Sequence, residues 1–245
     1  MPRFYARDLG PADETIALDE DEAAHLVRVL RLAPGAEVQV FNGSGVERRA
    51  RVELADKRGV VLRITGAVDA APEVPFAITL AQSVLKGDGM DEVVRDAVML
   101  GVTRIVPLVS AHAEISRAQI ERTFRVERWT RVAVSSAKQC GRAVVPPVEP
   151  PASLAAVLEA GGGAAYLMVE PKAAGGITVR ELQDAPRPSS GAVLLVGPEG
   201  GWSPEELDLA RMRGATLVTL GALTLRADAA ARVALPVFRY IWGTL

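Results

Sequence analysis

The C-terminal part of the chain shows the pattern that most constrains the fold, a regular alternation of short apolar runs and longer amphipathic segments. Runs short enough to be strands lie at 77–84, 102–109, 164–169, 192–196 and 216–220. Helical patterns lie at 88–100, 118–140, 178–182, 203–213 and between the last strand and the C-terminus. Strands that are apolar throughout and separated by helices predict an α/β fold with a parallel sheet covered on both faces.

The N-terminal part has a different periodicity. Asp19 and Glu22 have the spacing of a capping box and precede an apolar stripe, which predicts a helix over 19–32. Period-two alternation then recurs over 37–41, 46–54 and 60–64, with turns at 42–45 and 56–59. Short strands at this close spacing predict a small β-barrel or sandwich.

A segment without either periodicity separates the two patterns. Residues 70–75 read Ala-Ala-Pro-Glu-Val-Pro, and the two prolines favour extended backbone over a helix. The chain of 245 residues is long enough for two domains. We therefore predict a β-rich domain over 1–72 and an α/β domain over 73–245.

The charge balance limits how the protein can meet a nucleic acid. The chain has 28 Lys and Arg against 30 Asp and Glu, which excludes binding of RNA or DNA by bulk charge alone. One stretch departs from this balance, because residues 104–142 hold eight basic and three acidic side chains. Arg122, Arg125 and Arg128 share a broad helical face there, which is either a solvated surface or a patch that faces a polyanion.

Several classes of protein are excluded by the small number of cysteines and histidines. Cys140 stands alone, so no intrachain disulfide forms, and together with His25 and His112 it gives no spacing typical of a zinc site. The N-terminus lacks the apolar stretch of a signal peptide, and no run approaches a membrane span. We expect a soluble cytoplasmic protein without a metal.

One loop carries the strongest functional signal. An apolar strand over 193–196 leads into Gly-Pro-Glu-Gly-Gly-Trp, and Ser203, Pro204 and Glu206 then mark the start of a helix. Ligands of open α/β sheets bind at the carboxyl ends of strands, where this loop lies. The chain contains neither a P-loop nor a dinucleotide fingerprint, and Glu199 disfavours phosphate. A cationic or neutral nucleoside fits this loop better.

Two further loops follow other strands of the predicted sheet. One spans 220–230 and places Arg226 two residues before Asp228, a pair that by itself is most simply a structural ion pair. The other is 169–171, which contains Glu170. No Ser-His-Asp or Cys-His set occurs in these loops, so hydrolysis by an activated nucleophile is poorly supported.

The loop sequences resemble the knotted C-terminal region of SPOUT methyltransferases. The resemblance rests on Leu-Leu-Val-Gly-Pro-Glu-Gly-Gly-Trp-Ser at 194–203, followed by Leu-Gly and Leu-Arg at 220–226. Further matches are the segment 25–31 and the predicted helix that follows Lys86 and ends in Leu-Gly-Val at 100–102. The last two are Glu-Arg-Trp at 127–129 and Gln-Cys-Gly-Arg at 139–142. Together they identify the chain as similar to the RsmE family, which methylates N3 of one uridine in 16S ribosomal RNA.

The resemblance implies an architecture and a cofactor. The family has a PUA-like β-barrel RNA-binding domain, followed by a SPOUT α/β domain with a deep trefoil knot. It acts as a homodimer on 16S rRNA within an assembled or nearly assembled small subunit, and its active site lies between subunits. Three knot loops hold S-adenosyl-L-methionine. On this chain the cofactor contacts would be Glu170, Gly197, Pro198, Glu199, Gly200, Gly201, Leu220, Gly221, Leu225 and Arg226.

We assign candidate catalytic roles on the same basis. Methyl transfer needs the uracil N3 to lose its proton, and fixed cations can stabilise the resulting anion. We expect Arg226 and Arg142 to do this or to position the ribose phosphate, with Glu199 or Asp228 orienting them. No general base is identifiable.

The N-terminal domain supplies the candidate RNA contacts, which are Arg3, Arg7, His25, Arg28 and Arg31. The alternative for Arg28 and Arg31 is that they only flank the apolar stripe of their helix. Phosphate contacts by arginine would make RNA binding strongly dependent on salt.

The chain also departs from the family pattern. Ala227, Asp228 and Ala229 stand where the family usually has Thr, Glu and Thr, so two hydroxyls are missing and the acid is one methylene shorter. His112 stands where the family tends to have arginine. Two other functions therefore stay open, namely 2′-O methylation of a ribose and a noncatalytic role as an rRNA-binding assembly factor.

Overall fold

The computed structural model describes residues 1–56, 59–123, 125–173 and 175–245, and the side chains of residues 117 and 121 lie outside this description. Part of the predicted turn at 56–59 and residue 124 of the predicted helix over 118–140 are therefore not described. The chain forms two compact units, Met1–Glu73 with Val134–Val145, and Val74–Ala133 with Pro146–Leu245. The sequence placed the first division one residue earlier. It did not indicate the division after Ala133, because this point lies inside the helix predicted over 118–140.

The N-terminal unit contains one five-stranded sheet. Its strands are β1 (Arg3–Tyr5), β2 (Thr15–Ala17), β3 (Glu37–Phe41), β4 (Glu47–Asp56) and β5 (Gly59–Ala67), in the order β1-β3-β4-β5-β2. β1 pairs with β3 in parallel, and the other pairs are antiparallel. Alternate side chains, such as Val38, Val40, Val52 and Leu62, face one apolar core, as the period-two pattern predicts.

The helix predicted over 19–32 is shorter than expected. Helix α1 spans only Glu20–Ala24, and the chain continues as a π-helical turn over His25–Val29. Asp19 caps α1 by accepting a hydrogen bond from the Glu22 amide at 2.8 Å. The Glu22 carboxylate does not close the capping box. It accepts instead from the Tyr5 amide and from Lys138, and both are partners distant in sequence.

The C-terminal unit contains a seven-stranded sheet in which every pair is parallel. Its strands are β6 (Ile78–Ser83), β7 (Arg104–Val109), β8 (Ala152–Ser153), β9 (Ala164–Val169), β10 (Ile177–Thr178), β11 (Ala192–Val196) and β12 (Thr216–Thr219). Their order is β10-β12-β9-β11-β6-β7-β8. The predicted parallel sheet is confirmed, and each residue of β6 and β11 is buried, including the polar Thr79, Gln82 and Ser83 of β6.

Helices connect these strands. They are α2 (Gly89–Met99), α3 (Arg117–Arg122), α4 (Arg125–Cys140), α5 (Leu154–Ala160), α6 (Val179–Gln183), α7 (Pro204–Met212) and α8 (Ala227–Ile241). The single helix predicted over 118–140 is therefore two helices, and the pattern did not reveal α5 or the two-residue strands β8 and β10. The buried Arg239 anchors α8 to the end of α2, where it donates hydrogen bonds to the carbonyls of Leu100 and Gly101.

The register of the sheet determines where the functional loops lie. Leu167 of β9 is paired with both Leu195 of β11 and Leu217 of β12. The carboxyl ends of these three strands are therefore side by side, and the loops that follow them share one edge.

The trefoil knot that the resemblance implies stays a prediction. Within the described residues, no helix is long and apolar enough to cross a membrane.

Candidate active site

The loops after β9, β11 and β12 enclose a cleft of about 930 Å³ in the C-terminal unit. Nine of the ten predicted cofactor positions line it, namely Glu170, Gly197, Pro198, Glu199, Gly200, Gly201, Leu220, Leu225 and Arg226. The tenth, Gly221, follows the lining residue Leu220 in the chain. The parallel sheet therefore brings together three loops that lie up to 56 residues apart in the sequence, from Glu170 to Arg226.

The glycine-rich loop is tightly fixed at both ends. Ser203 and Glu206 form a capping box at the start of α7, in which the Glu206 carboxylate accepts from the Ser203 amide at 2.9 Å. The Trp202 indole donates to the Met168 carbonyl at 2.9 Å, which ties this loop to β9. A Cβ on Gly197 would lie only 3.0 Å from the Trp202 ring, so this position is restricted to glycine by the indole beside it.

The loop after β7 braces the same glycine-rich loop. His112 Nδ1 lies 3.1 Å from the Gly200 carbonyl and 3.1 Å from the Gly201 carbonyl, and it donates to them as the Nδ1–H tautomer. The Glu206 carboxylate also accepts from the Ala111 amide at 2.9 Å. A Cβ on Gly200 would meet the His112 Cβ at 3.0 Å. His112, at the position where the resembled family tends to have arginine, thus supports the backbone of the loop.

The third loop places an arginine at the mouth of the cleft. Arg226 has a largely exposed side chain, and its Nε donates to Asp228 Oδ1 at 3.1 Å. Arg232, one helical turn further along α8, donates to Asp228 Oδ2 at 2.5 Å. Burial alone would raise the pKa of the Asp228 carboxyl, but the two arginines and the Ala229 amide lower the pKa below its usual value. Asp228 is therefore a stable carboxylate at neutral pH.

Carboxylates outnumber cations in the cleft. The acidic lining residues are Asp88, Glu92, Glu170, Glu199 and Asp228. The basic lining residues are Lys86, Lys172 and Arg226. The Lys86 ammonium is paired with Glu114, and the Lys86 amide donates to Glu199 Oε1 at 3.4 Å. This balance favours a ligand with a positive charge over a bare phosphate, as the sequence indicated.

The apolar part of the lining comes from several elements. Leu85, Met168, Val196, Leu220 and Leu225 all face the cleft. A cleft with apolar walls and a few convergent polar groups is typical of small-molecule sites. Among the described residues, no group of three or more His, Cys, Asp or Glu side chains could hold a metal ion.

Among the predicted functional arginines of the N-terminal unit, Arg3 and Arg142 are held by contacts within that unit. Arg3 donates from Nε to Glu47 Oε1 at 2.8 Å, and its Nη1 donates to the carbonyls of Ala137 and Lys138. Arg142, which is almost fully buried, binds the Glu73 carboxylate through Nε at 3.1 Å and through Nη2 at 2.5 Å. These contacts favour structural roles for both residues, and neither lines the cleft.

The other predicted RNA contacts are on the surface of the N-terminal unit. Arg7, Arg28 and Arg31 are exposed, while the half-buried His25 ring packs edge-on against Phe4. Arg31 has a φ of 53°, and it is the only non-glycine residue with positive φ among the described ranges. Arg28 lies in the π-helical turn that buries Leu26, and Arg31 follows that turn. Their role as RNA contacts stays a prediction.

The basic stretch over 104–142 carries less free charge than its composition indicates. Arg128 is paired with Asp88 and Asp91, at 2.7 and 2.5 Å. Lys138 and Arg142 are also paired with carboxylates from outside the stretch. Three of the eight basic residues in this stretch are therefore paired with carboxylates, which weakens the interpretation of the segment as a patch for a polyanion.

Sequence reasoning missed several residues of the site. Asp88, Glu92 and Lys172 line the cleft but carry no motif. The spacing of Arg232 four residues after Asp228 is the usual spacing of a helical ion pair, so that signal was available.

The comparisons with known proteins agree with this site. A family model described as RNA methyltransferase domain matches residues 72–239, and one described as RNA methyltransferase PUA domain matches residues 18–65. The ribosomal RNA small subunit methyltransferase E of Synechocystis is 32% identical over 91% of this chain and 72% of its own length. The chain belongs to the RsmE family.

Two solved structures support the same assignment. The ribosomal RNA small subunit methyltransferase E of Neisseria gonorrhoeae, bound to S-adenosyl methionine, is 33% identical with a TM-score of 0.87, and 99% of this chain and 98% of that chain are covered. A methyltransferase from Legionella pneumophila with bound SAM is 28% identical with a TM-score of 0.88, and 97% and 96% are covered. The α/β class and the PUA-like sheet of the RsmE fold are thereby confirmed.

Proposed function

We propose that this chain transfers the methyl group of S-adenosyl-L-methionine to N3 of a specific uridine in 16S ribosomal RNA. The observation that carries the proposal is the cleft at the carboxyl ends of β9, β11 and β12, where nine of ten predicted cofactor positions meet. The methyltransferases of Neisseria gonorrhoeae and Legionella pneumophila, which share this fold over nearly the whole chain, have S-adenosyl methionine bound.

The residues of the cleft fit this cofactor. Gly197 and Gly200 line the cleft with backbone alone, and a Cβ at either position would meet Trp202 or His112 at 3.0 Å. Leucine and methionine side chains offer apolar surface to an adenine ring, and the excess of carboxylates suits the positive sulfonium and amino groups. When bound, the cofactor supplies an electrophilic methyl group.

The protein's own residues have two tasks in the reaction. The cleft must hold the uracil N3 in line with the methyl group, and the site must favour the deprotonated uracil. Arg226 is the cation best placed for the second task, because its guanidinium is exposed at the cleft mouth and bonded to Asp228. Glu199 contacts the Lys86 amide, so its role is to hold the loop after β6 against the glycine-rich loop.

RNA recognition belongs to the exposed arginines of the N-terminal unit. Arg7, Arg28 and Arg31 would contact phosphates, with His25 packed beneath their turn, whereas Arg3 and Arg142 maintain the structure of that unit. We further propose that the enzyme is a homodimer acting in the cytoplasm on an assembled or nearly assembled small subunit. Binding to a folded particle accords with a protein whose net charge is only −2.

Calorimetry and nucleoside mapping test the proposal together. Titration with S-adenosyl-L-methionine should give one site per chain, and incubation with unmethylated small subunits should give 3-methyluridine at one position. The absence of binding would instead favour a noncatalytic assembly factor. A methyl group on a ribose 2′-oxygen would favour the other SPOUT reaction.

A further inference from the structure

Resting on the proposed function, we propose that Arg232 is a positioning residue, which acts through Asp228 to hold the Arg226 guanidinium at the mouth of the cleft. Arg232 is not among the residues that line the cleft in the described structure. Its effect on the reaction must therefore pass through a residue that does.

Asp228 joins the two arginines with separate oxygen atoms. Its Oδ1 accepts from Arg226 Nε at 3.1 Å, and its Oδ2 accepts from Arg232 Nη2 at 2.5 Å. The Asp228 side chain is 18% exposed, whereas the Arg226 side chain is 86% exposed. A well-anchored carboxylate thus holds a guanidinium that is otherwise surrounded by solvent.

Arg232 is itself held from two sides. Its Nε donates to the Asp228 backbone carbonyl at 3.1 Å, which fixes the side chain along α8. On the other side it faces Glu92 at 3.4 Å and Asp96 at 3.6 Å, and both belong to α2. Loss of Arg232 would remove the hydrogen bond to Asp228 Oδ2 and the ion pairs that join this end of α8 to α2, so the Asp228 carboxylate would be less firmly held.

The local sequence favours such an anchor. Residues 227–229 read Ala-Asp-Ala, so the side chains on either side of Asp228 carry no hydrogen-bonding group. A short carboxylate stays close to its own helix, where an arginine four residues later can reach it. Arg232 at the i+4 position donates one hydrogen bond to Asp228 Oδ2 and one to the Asp228 backbone carbonyl.

The proposed role of Arg226 requires its guanidinium to be held in one orientation towards the uracil. An arginine side chain has many rotamers, and the ion pair with Asp228 limits them before the uracil arrives. Loss of Arg232 should therefore slow the methyl-transfer step about 10- to 100-fold, because misplacement of a catalytic group by about 1 Å has an effect of that size. The dissociation constant of S-adenosyl-L-methionine should change by less than about threefold, because the glycine-rich loop is untouched.

The test compares Arg232→Leu and Arg232→Lys with Arg213→Leu in the full-length protein. Arg213 is a matched control, since it has similar exposure and a similar ion pair, with Glu159 at 2.8 Å, outside the cleft. Two readouts are needed. One is the single-turnover methylation rate, and the other is the solvent exchange of the Arg226 Nε–H, followed by 15N NMR and assigned with Arg226→Lys.

We expect Arg232→Leu to slow methylation and to increase the exchange rate of the Arg226 Nε–H several-fold. Arg232→Lys should recover most of both, and Arg213→Leu should match the wild type. Slow methylation by Arg232→Leu with an unchanged exchange rate of the Arg226 Nε–H would overturn the inference. A wild-type methylation rate in Arg232→Leu would also overturn it. If Arg232→Leu fails to fold, equal Arg226 exchange in Arg232→Lys and Arg232→Gln decides against it. The exchange measurement needs no RNA, so it stands even if the proposed activity is absent.

Discussion

Replacement of Gly197 by alanine tests the link between the glycine-rich loop and cofactor binding. The added Cβ would lie 3.0 Å from Trp202 Cε2 and 3.1 Å from Trp202 Nε1. The indole has little freedom to move away, because its Nε1–H donates to the Met168 carbonyl at 2.9 Å. Either the overlap persists or this hydrogen bond between the loops is broken.

The magnitude follows from these contacts. Overpacking of this kind costs about 1–3 kcal/mol, and loss of the hydrogen bond costs about 0.5–1.5 kcal/mol. If the loop must pay 1–3 kcal/mol to reach its binding conformation, affinity for S-adenosyl-L-methionine falls about 5- to 150-fold. Calorimetry measures that affinity, and thermal unfolding checks that the protein remains folded.

Two controls make the result interpretable. Gly66→Ala should bind the cofactor as the wild type does, because its Cβ would lie 3.6 Å from the Arg49 side chain, an ordinary contact in the other unit. In a Trp202→Phe background, Gly197→Ala should cost less than it does alone, because the smaller ring leaves room for the methyl group. Wild-type affinity in a folded Gly197→Ala protein would show that the contact between Gly197 and Trp202 does not limit cofactor binding.

Three further predictions concern other parts of the chain. Arg239→Met leaves the buried carbonyls of Leu100 and Gly101 without their donor and should lower the free energy of unfolding by about 2–4 kcal/mol, measured with urea. Arg28→Ala with Arg31→Ala should lower the slope of log Kobs against log salt for RNA binding by about 2, and an unchanged slope would exclude phosphate contacts. Because the folded pKa of Asp228 is lowered, its stabilising effect is complete well above pH 4 and is lost as pH falls through the folded pKa. Asp228→Asn should therefore be less stable than the wild type at pH 7, with the difference closing in acid; a constant difference would contradict this.

Local patterns allowed much of the fold and the cleft to be predicted. The strand, loop and capping box around 193–206 depend on neighbours in the sequence, so Ser203 and Glu206 could be assigned without coordinates. The register of a parallel sheet then explains why Glu170, Gly197 and Arg226 line one cleft. The trefoil knot that the resemblance implies has no such local signal, because no propensity or spacing describes how a chain threads itself.

Tertiary partners account for what the sequence could not reveal. Arg3 is predicted to contact RNA and Arg142 to act in catalysis. Their carboxylate partners Glu47 and Glu73 lie 44 and 69 residues away in the chain, so the sequence does not reveal these pairs. Glu22 contacts groups distant in sequence instead of completing the capping box of α1. A charged side chain can therefore be identified from the sequence, whereas its pairing depends on the folded chain.

The proposed methylation of N3 of one uridine is measured by mass spectrometry of 16S rRNA. The rRNA comes from a deletion strain and from the same strain carrying wild-type or Arg226→Ala protein. We expect the deletion strain to lack 3-methyluridine at a single position, the wild-type protein to restore it, and Arg226→Ala to restore little or none. An unchanged set of methylated uridines in the deletion strain would show that this chain does not carry out the reaction.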